Sequence, residues 1–187
     1  MKQSLFTMEH ARQLTADTYE LVLSGDTSAI TAPGQFVNIQ LPGKFLRRPI
    51  SICNWTKDAL LLLVRVVGEG THDLVRCVPG TELDVLSGLG NGFDLAKGGT
   101  HPILLGGGIG ISPLYGLAQR MLEAGIAPTV GLGFRSGGDA FYLEEFGKLG
   151  CRLMVATEDG SLGTKGFVTD LVRHVPECGY AFVCGPT

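Results

Sequence analysis

Three short stretches bring together residue types suited to holding a phosphorylated ligand. The first, LLGGGIGISPL at 104–114, runs from an apolar segment through glycines to Ser112 and Pro113. The Ser112 hydroxyl is expected to cap a following helix, and Pro113 suits its first position, where a missing N–H costs nothing. Glycines ahead of such a cap let a phosphate approach the positive helix end. The spacing departs from G-x-G-x-x-G, since Ile111 stands where the third glycine counted from Gly106 would fall. A tight strand–helix turn without ligand accounts for the same residues. In the second stretch, FLRRPISI at 45–52, Arg48 can pair with a phosphate and Ser51 offers a hydroxyl, or they are a rim charge and a strand-edge hydroxyl. The third, VRVVGEGTHDL at 64–74, sets Gly70 and Thr71 at the start of a short helix expected over THDLVRCVPG.

These stretches lie in halves of different periodicity. Up to about residue 97 the signals are strand-like: TYELVLSG, GQFVNIQLP, RPISICNW and ALLLLVRVVG, punctuated by Gly, Pro, Asp or Asn. Val37, Ile39 and Leu41 alternate with Phe36, Asn38 and Gln40, as in a half-buried strand, whereas Leu60–Val64 is apolar throughout, as in a strand covered on both faces. Strands at this spacing imply a small antiparallel barrel or sandwich. After Gly98-Gly99 strands and helices alternate: HPILL, a helix with Leu114, Leu117, Ala118, Met121 and Leu122 on one face, then APTVGLGF, DAFYLEEFGKLG, CRLMVAT, GFVTDLVRHV and YAFVCGP. That order implies a doubly wound parallel sheet. The expectation is therefore β followed by α/β, with domains at 1–97 and 98–187. The second is expected to be truncated, because the helix that would cover the last strand does not follow it.

Composition narrows the function classes. With 44% apolar residues the chain can build packed cores, and a net charge of −3 gives no reason to expect nucleic acid or a membrane surface. No apolar run reaches membrane-spanning length. The 28 glycines lack periodicity and cluster in loops, as where backbone approaches a ligand. The five cysteines, at 53, 77, 151, 178 and 184, form no C-x-x-C pair, which argues for reduced thiols in the cytoplasm and against a metal site within this segment. At the end of the second α/β strand Arg135 and Ser136 occupy the place of a ribose-binding carboxylate, leaving NADH and NADPH both open.

Together and in this order the motifs resemble those of the ferredoxin-reductase-like flavoproteins. Arg48-Pro49-Ile50-Ser51 matches the R-P-x-S of their FAD-binding barrel, Gly107-Gly108-Ile109-Gly110-Ile111-Ser112-Pro113 the opening of their nicotinamide-binding domain, and Cys184-Gly185-Pro186 the end of its last strand here. With VGEGT, LGNGF and EDGSLGTKGFVTDL added, the whole chain resembles the electron-transfer subunits of type B dihydroorotate dehydrogenases.

The resemblance implies that Arg48 pairs with an FAD phosphate, that Ser51 hydrogen-bonds near flavin N5, and that Arg65, Val66 and Val67 line the flavin. Gly70 and Thr71 would hold the pyrophosphate. Gly107, Gly108, Gly110, Ser112 and Pro113 would admit the nicotinamide dinucleotide, with Arg135 at its adenosine end or simply solvated. Cys184 would lie beside the nicotinamide, or be an inert core thiol. Ser51 and Cys184 are thus the expected catalytic pair. The family's electron path runs from dihydroorotate through the FMN of a catalytic partner subunit and a [2Fe–2S] cluster to FAD and NAD⁺, in a hetero-oligomer. None of the cysteines here has the plant-type cluster spacing. The alternatives are a standalone NAD(P)H–flavin or ferredoxin reductase, and a non-catalytic nucleotide-binding module.

Overall fold

A computed structural model describes residues 1–186 of the chain. They divide into two compact units, Met1–Phe93 and the remainder from Asp94. The break falls just before the expected 97/98 boundary for a physical reason. The Phe93 N–H donates to Pro33 O at 2.7 Å, and its ring fills the space over Gly34, which ties this residue to the first unit.

The first unit is a closed barrel of six antiparallel strands: β1 (Lys2–Gln13), β2 (Thr18–Gly25), β3 (Phe36–Gln40), β4 (Arg48–Trp55), β5 (Ala59–Arg65) and β6 (Glu82–Leu89). The order around it is β1-β2-β5-β4-β3-β6. Alternate residues point inward, so Phe6 and Met8, Leu21 and Leu23, Val37 and Ile39, and Leu83 and Val85 meet in one core. In β5, Leu60, Leu62, Leu63 and Val64 are all buried, as the unbroken apolar run predicts. Helix α1 (Glu69–Val75) follows β5 and begins two residues ahead of the expected THDL start.

The second unit holds a parallel sheet ordered β10-β9-β8-β7-β11. Its elements in chain order are β7 (Pro102–Gly107), α2 (Ser112–Glu123), β8 (Thr129–Phe134), α3 (Leu143–Leu149), β9 (Arg152–Thr157), β10 (Thr164–Lys165) and β11 (Tyr180–Cys184). The apolar face read along α2 is real: Leu114, Leu117, Ala118 and Met121 are fully buried. Two expected helices differ. The segment DAFYLEEFGKLG becomes helical only at Leu143, because Tyr142 takes a left-handed backbone with φ 65° and starts the helix there. GFVTDLVRHV forms a 3-10 helix, Val168–His174. It lies so close to the sheet that a Cβ on Gly133 would stand 2.6 Å from Val168 Cβ, and one on Gly131 3.1 Å from Leu171 Cδ1. Glycine alternation in TVGLGF therefore makes room for this segment.

Gly133→Val should lower the unfolding free energy by about 1–3 kcal/mol, since a β-carbon there forces backbone movement. Gly147→Ala, which meets open space on α3, should raise it by about 0.5–1 kcal/mol. Chemical denaturation of the two variants against the parent checks both.

Candidate functional sites

In the barrel, β4 pairs with β5 only from Ile52 onward, so Arg48–Ser51 are laddered to β3 alone. Pro49, which has no N–H to give, is accommodated where a second strand neighbour is missing. Arg47, just before β4, and Arg48, its first residue, take different partners. Arg47 bonds Asp84 Oδ2 at 2.8 Å and the carbonyls of Asp84 at 3.1 Å and Asn38 at 3.3 Å. Asp84 also accepts from Gln3 at 2.8 Å. Hydrogen bonding from Arg47, opposed by burial and aided by Gln3, holds the Asp84 carboxyl below the usual carboxylate range.

Arg48 turns the other way. Its Nη1 donates to Leu46 O, and its guanidinium lies against Gly70: a Cβ there would come within 1.9 Å of Nε and 2.5 Å of Cζ. The half-buried Arg48 is thus packed on the first turn of α1 and is more than a solvated rim charge. Thr71 is buried, and its hydroxyl is already used by the turn it starts. It donates to Gly68 O at 3.0 Å and accepts from the N–H groups of Val67 at 3.0 Å and Gly68 at 3.3 Å. The Arg65 side chain is held by Asp17 at 2.7 Å, and Val66 packs on the core. Val67, Pro49 and Ser51 are exposed, whereas Ile50 is buried. Arg48, Gly70, Thr71 and Val67 are therefore one contiguous group.

In the second unit β7 runs to Gly107, the chain turns at Gly108 with φ 50°, and a 3-10 turn over Gly108–Ile111 leads straight into α2. The expected Ser112 cap is not formed. Ile111 takes the cap position and Ser112 is already helical, at φ −49° and ψ −61°, so its hydroxyl cannot reach back to a free N–H. The Ser112 Oγ is instead buried without a hydrogen-bond partner. Pro113 sits in the first turn, as its chemistry favours.

The glycines divide the work. A Cβ on Gly110 would lie 2.3 Å from Cys184 O, and one on Gly185 3.1 Å from Gly107 N, so the loop and the Cys184-Gly185-Pro186 segment pack backbone on backbone. At Gly106 a Cβ would press on Ile111 and Leu114. Gly108 faces open space, and the nearest group to a Cβ on Gly107 is Pro186 at 3.7 Å. This junction joins β7 and β11, where the strand order reverses and doubly wound sheets bind ligands. Cys184 is half-buried, and burial pushes its thiol up.

Arg135 is exposed at the end of β8, its carbonyl accepting from Asp159 N at 3.2 Å. Ser136 Oγ donates to Asp139 at 2.8 Å. Among the described residues the cysteines form no disulfide with one another, and no three His, Cys, Asp or Glu side chains converge as a metal site would need. No helix among them is long and apolar enough to cross a membrane.

Sequence reasoning missed Lys44, which bridges the β3–β4 loop to α1, and the separate commitment of Arg47 to Asp84. An isolated lysine in a loop carries no pattern, and two adjacent arginines separate only once the strand phase is known.

No family model matches the chain. It is 39% identical over 194 residues to the dihydroorotate dehydrogenase B (NAD(+)), electron transfer subunit, of Listeria monocytogenes, covering 100% of this chain and 76% of that one. The Shouchella clausii protein of the same name is 42% identical, with 100% and 75% covered. The chain thus spans about three quarters of these relatives' length. Among solved structures, an NADH-dependent reduced ferredoxin-NADP oxidoreductase superposes with TM-score 0.87 at 29% identity, over 98% of this chain and 68% of that one. The Amycolatopsis cytochrome P450 reductase shares the fold, at TM-score 0.85 and 24% identity over 99% and 62%.

Gly110→Ala should destabilise the protein by about 1–3 kcal/mol because backbone must yield to the methyl. Gly108→Ala should cost about 1–2 kcal/mol through its left-handed φ alone; thermal unfolding of both checks the division of roles. A depressed carboxylate contributes stability above its unfolded pKa and loses it as pH falls through the folded value. Asp84→Asn should therefore lower the Tm at neutral pH, with the gap to the parent narrowing once pH drops below about 4.

Proposed function

The chain belongs to the electron-transfer subunits of dihydroorotate dehydrogenase B, and we propose how its residues serve that oxidoreductase's exchange of electrons between flavin and nicotinamide. The supporting observation is the packing of Arg48 on Gly70. The Arg48 guanidinium lies directly against buried Gly70, next to the edge of β4 that β5 leaves unpaired. A phosphorylated flavin fits that chemistry, with Arg48 as its phosphate partner. Gly70 supplies close backbone approach, and Thr71 fixes the turn with its hydroxyl. Bound there, FAD would supply the hydride-accepting carrier that amino-acid side chains do not provide.

The chain's own part is positional. Ser51, exposed on the stretch of β4 that has only β3 beside it, presents a hydroxyl toward the flavin ring near N5. Ile50 secures that strand to the core while Pro49 keeps the stretch extended, and the Arg65–Val67 backbone with the Val67 side chain lines the ring. In the α/β unit Gly108 leaves an open face for the nicotinamide dinucleotide beside Gly107, and Gly110 secures the loop from behind. The buried Ser112 hydroxyl and Pro113 form the helix start that receives it, and Arg135 stands toward the adenosine end. Cys184 lies beside the nicotinamide.

The unit limits 1–97 and 98–187 are proposed as the flavin and nicotinamide domains. Electrons from dihydroorotate would reach this chain from an FMN-bearing catalytic partner in a hetero-oligomer in the cytoplasm, a compartment that suits five reduced thiols. The described residues do not fit an iron–sulfur cluster, so no step is derived through one.

The protein purified with FAD should be yellow, and NADH should bleach its flavin absorbance anaerobically. Ser51→Ala should leave FAD bound but slow that bleaching about tenfold, the worth of one hydrogen bond. A colourless protein that takes up no added FAD would overturn the reading; copurification with an FMN-containing subunit separates it from a standalone reductase.

A further inference from the structure

Lys44 lies in the loop between β3 and β4, four residues before Arg48. Its side chain is only 19% exposed and its ammonium bridges two carboxylates of α1, Glu69 Oε1 at 2.7 Å and Asp73 Oδ2 at 3.2 Å. Glu69 immediately precedes Gly70, on which the Arg48 guanidinium rests, and is itself 81% exposed. His72 Nδ1 approaches Asp73 from the other side at 3.6 Å. The other cation of this stretch, Arg47, is committed to Asp84. Arg48 is therefore the guanidinium turned toward the slot, and two carboxylates stand close to where an anion paired with it would lie.

We propose that Lys44 is a positioning residue for the phosphates of the flavin nucleotide, drawing Glu69 and Asp73 into one ion cluster so that they do not oppose the anion beside Arg48. This rests on the flavin reading above and adds a residue to it. Exposed ion pairs contribute little to stability, so a cluster of this kind matters chiefly through the field it leaves at its neighbour. Two uncompensated carboxylates within a Debye length repel a phosphate, and salt weakens that repulsion. The same contacts anchor the loop that leads into Arg48, and the cluster sets where that loop meets α1.

The test is FAD affinity, measured by quenching of flavin fluorescence on titration into the FAD-stripped protein at low and at high salt. Lys44→Gln should weaken binding about tenfold at low ionic strength and much less near 1 M salt. Lys44→Gln combined with Glu69→Gln restores the local charge of the parent and should recover most of the affinity. Circular dichroism and Tm of each variant report folding separately. Unchanged affinity in Lys44→Gln overturns the proposal. So does a loss that the added Glu69→Gln fails to recover, which would mean a direct phosphate-binding or structural role, or one equal at both salt concentrations, which would mean a structural one. A parent protein that binds no FAD would instead overturn the flavin reading.

Discussion

The absence of a side chain at Gly110 lets the glycine loop lie on the carbonyl of Cys184, and the architecture of the α/β unit's open end depends on that contact. β7 and β11 are parallel neighbours, with Cys184 opposite Gly106. Beyond that pair the chains must diverge, one into α2 and the other onward from Gly185. Any Cβ at Gly110 would force them apart earlier and shift the start of α2. The motif that reads as a ligand loop is thus in part a device for packing protein against itself. Of the loop's glycines, Gly108 alone faces open space.

The same constraint recurs at two other close approaches. Gly70 admits the Arg48 guanidinium, and Gly131 with Gly133 admits the 3-10 segment that carries Leu171 onto the sheet. In each case backbone approach sets a position that exposed ion pairs alone would hold poorly. The Arg47–Asp84 pair is a complement to this. Its additional bonds to Gln3 and to the Asn38 carbonyl tie β1, β3 and β6 to the chain entering β4, and so fix the strand phase that turns Arg48 toward Gly70.

Much of the architecture is legible in the sequence because each half has its own period. Alternation in QFVNIQL and the helical spacing from Leu114 to Met121 report burial directly, and both hold in the structure, while Leu122 at the end of that face is only partly buried. β1 and β6 are harder to read. In β1 only Phe6 and Met8 are fully buried, and in β6 a buried Ser87 breaks the apolar alternation. The GFVTDLVRHV segment reads as an α-helix because its local spacing suits one. Its tighter form answers to glycines in β8 some thirty-five residues earlier, and a local window does not register them. The Ser112 cap fails likewise: the residue type is right for a cap, but the preceding 3-10 turn shifts the helix start by one position. Lys44 acts through α1, and the sequence around it has no periodicity to announce that.

The Ser112 hydroxyl brings these threads together. A buried hydroxyl with no partner costs on the order of 1–3 kcal/mol, and alanine at this place would avoid the cost while favouring the helix. Packing alone thus gives no reason for a serine. Its position does: it follows the open face of Gly108 by one turn, at the start of a twelve-residue helix. On the reading proposed above, the group left unpaired in the protein by itself is the one a dinucleotide or its bound water would satisfy. The departure from good capping and the open loop are then two aspects of one arrangement, in which local stability is reduced where ligand contacts are to be made.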